Sequence, residues 1–147
     1  MYLLWRVKEQ RVILLAKINH IDDFNKRRRE IASFYDEHLK ERVWIKTPKV
    51  HKKAYHVYHQ YTIRVLNERR DEFQKELKEK GVQTMVYYPV ILPDMKVLKN
   101  RCECLRELKN ATEATGQVLS LPIEPLQSTE DTEYVIKTAK KFFESIK

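Results

Sequence analysis

Three histidines, His51, His56 and His59, fall within one short stretch of the chain. Imidazoles gathered this closely are the first place to look for a metal or a proton relay. Their spacing argues against a shared metal. On an extended strand, residues three apart face opposite sides, so His56 and His59 diverge. His59 falls on the expected face of Val57 and Tyr61 and is read as a hydrogen-bonded core histidine. Cys102 and Cys104 have no second cysteine pair or suitably spaced histidine to complete a zinc site. Ser120 has no recognisable neighbouring base, so nothing marks it as a nucleophile. Gly81 and Gly116 are the only glycines, 35 positions apart, which excludes a glycine-rich phosphate loop. Tyr55, Tyr58 and Tyr61 have the composition of a base-stacking platform, but tyrosine is also a good strand residue, and the strand reading is preferred.

The composition sets the scale of the elements that must position these residues. The chain has 147 residues, 42% hydrophobic and 34% charged, which suits one folded domain over residues 1–147. No apolar run approaches the roughly 18 residues of a membrane span, and no signal-peptide pattern is evident at the start. Two cysteines in the whole sequence fit a reducing, cytoplasmic setting. The net charge is +8, with basic residues interspersed among 21 acids. The densest cluster, Lys26-Arg27-Arg28-Arg29, runs directly into Glu30 and reads as a solvated helix face rather than a nucleic-acid site.

Periodicity supplies the elements. Leu14, Ile18, Ile21, Ile31, Tyr35 and Leu39 recur at helical steps and predict one long helix over 6–42. Alternation predicts a strand over 55–66. Asn67 is expected to cap a short helix carrying Phe73 and Leu77, with Gly81 as its stop. A second strand is expected from Val82 to Tyr88, ended by Pro89. After an irregular stretch to about residue 103, Leu105, Leu108, Ala111, Thr115 and Leu119 suggest a helix. A short strand over 119–122 follows. Ser128 then caps a last helix whose stripe is Val135, Ala139, Phe142, Phe143 and Ile146. Short strands alternating with covering helices predict an α/β two-layer sandwich. It would hold a long N-terminal helix and a small, mainly antiparallel three-stranded sheet.

Five segments, taken in order, resemble the small C-terminal domain of the DegT/DnrJ/StrS family of nucleotide-sugar aminotransferases. Ile21 to Arg28 resembles a family helix with paired arginines. His56-Val57-Tyr58-His59-Gln60-Tyr61 opens a strand similar to the family's His-Val-aromatic-His-x-aromatic pattern. Arg70-Asp71-Glu72-Phe73 through Gly81-Val82-Gln83-Thr84 is similar to its helix-to-strand turn. Tyr87-Tyr88-Pro89 stands where the family usually has His-Tyr-Pro. Val118-Leu119-Ser120-Leu121-Pro122 matches its Val-Leu-Ser-Leu-Pro strand.

The resemblance implies a fold type I enzyme dependent on pyridoxal phosphate (PLP), moving an amino group to a keto-sugar nucleotide in polysaccharide biosynthesis. It also implies that the Schiff-base lysine and most phosphate contacts belong to a large domain preceding this one. The family's glycine-rich lysine segment is absent from this sequence. Of the family's Gly-aromatic-Asn-x-Arg run, only Arg6 matches, with Tyr2 and Leu4 at the Gly and Asn positions. Tyr87 in place of His keeps a hydrogen-bonding group but not a proton shuttle near neutral pH.

The expectation is a stand-alone small domain that is not catalytic by itself and holds no cofactor alone. Tyr87, Tyr88 and Arg6 are the candidate substrate-binding residues, with no catalytic residue and no metal. A homodimer through the apolar N-terminal segment is expected, with a separate large-domain protein as a further partner. The rival readings are a subunit completing a split aminotransferase and a basic regulatory or nucleic-acid-binding module.

Overall fold

A computed structural model describes residues 2–40, 43–98, 101 and 106–145, with side chains from residue 10 onward. The element order is α1 (Tyr2–Ile18), α2 (Ile21–Leu39), β1 (Ile45–Lys46), β2 (Tyr61–Val65), α3 (Arg70–Glu79), a single 3-10 turn (Leu92–Asp94), α4 (Lys109–Gln117), β3 (Val118–Leu121) and α5 (Thr129–Glu144).

The expected long helix is two helices. The chain breaks at Asn19 and His20, where His20 adopts φ −109° and ψ 0°. Local charges favour the break. Lys17 lies in the last turn of α1, and Asp22 and Asp23 lie in the first turn of α2. Each therefore complements the partial charge of its own helix end. The apolar rhythm runs across the break through Ile18 and Ile21, which is why periodicity alone misses it.

The sheet is antiparallel, in the order β1-β2-β3. Tyr61 lies opposite Leu121, and Ile63 opposite Leu119. The expected strand over 82–88 is reduced to one bridge, Met85 to Ser120, on the outer edge of β3. The third strand is instead the two-residue β1, in a loop region that carries no alternating pattern. The helix expected from Leu105 to Leu119 is shorter. It ends at Gln117, and Val118 and Leu119 belong to β3. Ile146, Leu105 and the cysteine pair, Cys102 and Cys104, lie outside the described residues.

Strand β2 divides the molecule. Tyr61, Ile63 and Val65 point inward and are fully buried, while Thr62 and Arg64 point outward. Helix α5 packs against α2 and α3 over the inner face. There Phe73, Phe142 and Phe143 form a mutual cluster with ring centroids 4.9–5.2 Å apart. Each fully buried aromatic contributes about 1.5–3 kcal/mol of transfer free energy. Ser128 caps α5 by accepting from the Asp131 amide at 2.9 Å.

Helix α3 starts differently from expectation. Its N-cap residue is Arg69, and Asn67 and Glu68 form a left-handed pair, both at φ 58°. Asn tolerates that region well, so Asn67 turns the chain rather than capping the helix. Gly81 does end α3, at φ 78°, with the Val82 amide donating to Leu77 O at 2.8 Å.

Candidate functional site

The site begins with a strained residue. Tyr58 has φ 48°, a region that costs a non-glycine residue about 1 kcal/mol or more. Its amide donates to His56 Nδ1 at 2.9 Å, and the two rings lie 4.3 Å apart. This turn swings Tyr58 into the core, with its ring centroid 6.1 Å from that of Tyr61. Val57 and His59 are consequently turned outward. His59 is therefore not the core histidine that simple alternation suggests. It is exposed on the wall of a cleft, because the left-handed residue before it resets which side faces the core.

That cleft encloses about 430 Å³. Arg28 from α2 and Tyr87 from the loop after α3 stand on its rim with His59 and Gln60. Gln83 and Thr84 line it beside Met85, and Ser120 to Glu124 supply the far wall. The far wall is anchored from behind. Tyr35 donates to Pro122 O at 2.9 Å and accepts from Gln127 Nε2 at 3.1 Å. Burial pushes the Tyr35 phenol up to about 12, partly offset by the Gln127 hydrogen bond. Tyr61 donates to Asp36 Oδ1 at 2.7 Å. Burial, and then the carboxylate it bonds, raise its phenol well above the ordinary range. Both tyrosines are neutral structural posts.

The expected site residues separate. Tyr87 lines the cleft, whereas Tyr88 is 73% exposed and does not. Arg6 lies on α1, and its side chain is outside the described residues. The Lys26–Arg29 cluster, expected as a solvated face, is divided among several roles. Arg27 donates to Gln127 O at 3.1 Å, Arg28 borders the cleft, and Arg29 sits 4.1 Å over the Tyr55 ring.

Ser120 Oγ pairs with Thr62 Oγ1 at 2.7 Å and ties β2 to β3. His51 Nδ1 accepts from the Lys53 amide at 3.3 Å, a local turn bond like that of His56. No group of three metal-binding side chains occurs among the described residues.

The arrangement suits hydrogen bonding rather than bond making. One guanidinium, one carboxylate (Glu124), an imidazole, a phenol and two amides line the cleft beside apolar side chains. PLP does not fit this cleft as a covalent cofactor, because the lining contains no lysine amine and no glycine to bring backbone amides close to a phosphate. Sequence reading named Tyr87 but not Arg28, His59, Gln60, Gln83 or Thr84. The signal was present in the segments that resemble the family, since each of the five contributes at least one residue to this cleft.

Comparison with known proteins agrees. The pattern of the DegT/DnrJ/EryC1/StrS aminotransferase family matches residues 8–140. A pleiotropic regulatory protein of Geobacillus stearothermophilus is 39% identical over 91% of this chain and 36% of its own length. A dTDP-3-amino-3,6-dideoxy-alpha-D-galactopyranose transaminase of Aneurinibacillus thermoaerophilus is 37% identical over 90% of this chain and 35% of its own length. The crystal structure of S. venezuelae DesV, in complex with a ketimine intermediate, superposes with a TM-score of 0.83 at 30% identity. It covers 90% of this chain and 35% of that one. The chain thus spans about a third of the length of the relatives it matches. With its antiparallel sheet, its covering helices and its cleft built from the matching segments, the chain belongs to the DegT/DnrJ/EryC1/StrS aminotransferase family.

Proposed function

We propose that this chain is the small domain of a PLP-dependent sugar aminotransferase and forms the substrate-side wall of a composite active site. The observation that carries the reading is the convergence of all five family-like segments on one cleft. The reaction is transfer of an amino group, usually from glutamate, to a keto-sugar nucleotide in polysaccharide biosynthesis, in a reducing cytoplasm. PLP, bound elsewhere, supplies the electron sink. This chain's residues bind and orient. Arg28 offers a guanidinium to an anionic group of the substrate. Tyr87, His59, Gln60 and Gln83 offer hydrogen bonds to sugar hydroxyls. The lysine that carries the cofactor must come from a large domain, so the chain alone has no transaminase activity.

A chimera tests this directly. Residues 8–140 replace the matching third of the Aneurinibacillus transaminase, and amino transfer from glutamate to a 3-keto dTDP-sugar is measured. An active chimera weakened about tenfold or more by Arg28→Ala with Tyr87→Phe is expected. A folded chimera that is inactive, or one indifferent to both changes, overturns the reading.

Self-association of the isolated chain follows from α1. Val12, Ile13, Leu14, Leu15 and Ile18 are all more than half exposed. Soluble monomers seldom leave so contiguous an apolar surface open. Pairing with a second copy buries it at about 25 cal/mol per Å². Light scattering should give a dimer for the intact chain and a monomer for the Trp5→Glu, Leu14→Glu variant. A monomeric intact chain at micromolar concentration contradicts the pairing, as does an equally dimeric variant.

A further inference from the structure

The excess positive charge is less scattered than the whole sequence suggests. Between Glu41 and Glu68 there is no acid, and Lys46, Lys49, Lys52, Lys53 and Arg64 all fall in that interval. The sheet register then does something costly. Lys46 is set directly opposite Arg64 on adjacent antiparallel strands. Like charges in that position repel and weaken the pairing.

Both residues border a groove of about 540 Å³ on the outer side of the sheet, distinct from the cleft described above. Lys40, at the end of α2, and Lys49 close the same groove. Thr47 contributes a hydroxyl and Pro48 apolar surface, the Thr62 hydroxyl beside them is held by Ser120, and the lining contains no carboxylate. Arg64 is partly answered from α4, by Glu113 at 2.9 Å and Gln117 at 2.8 Å. Lys40 complements the C-terminal end of its own helix. Lys46 and Lys49 have no ion pair among the described residues. Burial of Ile45 opposite Val65 fixes this register and leaves Lys46 facing Arg64, where an anion between them turns repulsion into attraction.

We propose that this groove binds the phosphates of a small polyphosphorylated metabolite, such as a nucleoside diphosphate. Its volume lies in the range of small-ligand sites. Ammonium groups around a hydroxyl are a good match for a diphosphate. A single-stranded nucleic acid is a poorer fit. No aromatic side chain lines the groove to stack a base, and the cations converge on one concavity instead of tracking a strand. The inference does not depend on the aminotransferase reading, since it rests on register and charge alone.

Calorimetric titration of inorganic pyrophosphate and of UDP into the intact chain at low salt tests it. One-to-one binding is expected, weakened about tenfold or more by Lys46→Gln with Lys49→Gln. The charge-matched control, Lys137→Gln with Lys140→Gln on α5, should stay within about twofold of the parent. The groove variant should also melt no lower than the parent, because it removes a repulsive pair. The proposal is overturned by absence of binding at millimolar ligand, by equal losses in both variants, or by a lower melting temperature in the groove variant. Tighter binding to a single-stranded oligonucleotide, growing with its length, would also overturn it in favour of a polymer partner.

Discussion

The two faces of β2 are built from alternate residues of one five-residue strand and do opposite things. Inward, Tyr61, Ile63 and Val65 are sealed beneath α2, α3 and α5. Outward, Thr62 and Arg64 meet hydroxyls, amides and carboxylates at hydrogen-bond distance. The inner face is apolar with two neutral phenols bonded at its rim. The outer face carries like charges in register and opens onto one cleft and one cationic groove. Stability is thus concentrated on one side of the sheet and chemistry on the other, and substitutions should separate along the same line.

The largest effect should come from the inner face. Phe73→Ala removes the ring that touches both Phe142 and Phe143 and should cost about 3–5 kcal/mol in denaturant unfolding. A loss below about 1 kcal/mol would mean the aromatic cluster does not hold the fold.

Alkali gives the next largest effect. The Tyr35 phenol is raised to about 12 in the folded chain by burial and ionises near 10 when unfolded. Between those values the unfolded chain has lost a proton that the folded chain keeps. Stability is therefore unaffected below about pH 10 and falls through about pH 12, by up to about 3 kcal/mol. Tyr61 adds to the decline in the same direction. Unfolding free energies that stay flat from pH 9 to 12 would contradict the buried, neutral assignment of both tyrosines.

A smaller loss is expected at the start of α5. Ser128→Ala deletes the cap on the Asp131 amide and should lower stability by about 1 kcal/mol. The smallest belongs to the outer face. Tyr87 is half exposed, so Tyr87→Phe should change stability by less than about 0.5 kcal/mol. If thermal melts show Tyr87→Phe to cost as much as Ser128→Ala, the division between the two faces fails.

Much of the inner face was legible in the sequence. The stripes Ile31, Tyr35 and Leu39 in α2, Phe73 and Leu77 in α3, and Val135, Ala139, Phe142 and Phe143 in α5 are buried as their spacing implies. Gly81 and Ser128 punctuate the chain where their chemistry predicts. The outer face was harder to read, because its geometry depends on exceptions to periodicity. The left-handed Tyr58 reverses the side on which His59 lies. A two-residue β1 carries no alternation to detect. Residues 82–88 contribute one bridge rather than a strand, since Gln83, Thr84 and Tyr87 face the cleft instead of pairing. The break between α1 and α2 is written in the charges at Lys17, Asp22 and Asp23 rather than in the apolar rhythm. Resemblance to a family supplied one cleft residue, Tyr87, and its segments contained the others without marking them.

The most direct test of the central claim is covalent capture of the cofactor. Incubation of the purified chain with PLP, borohydride reduction and peptide mapping reports whether any lysine of this chain acts as the cofactor's anchor. The account predicts only low, diffuse labelling spread over surface lysines, with no absorbing species of defined stoichiometry. Stoichiometric labelling of a single lysine, with a matching visible band that reduction removes, would contradict it. The cofactor site would then lie within these residues rather than in a domain that complements them.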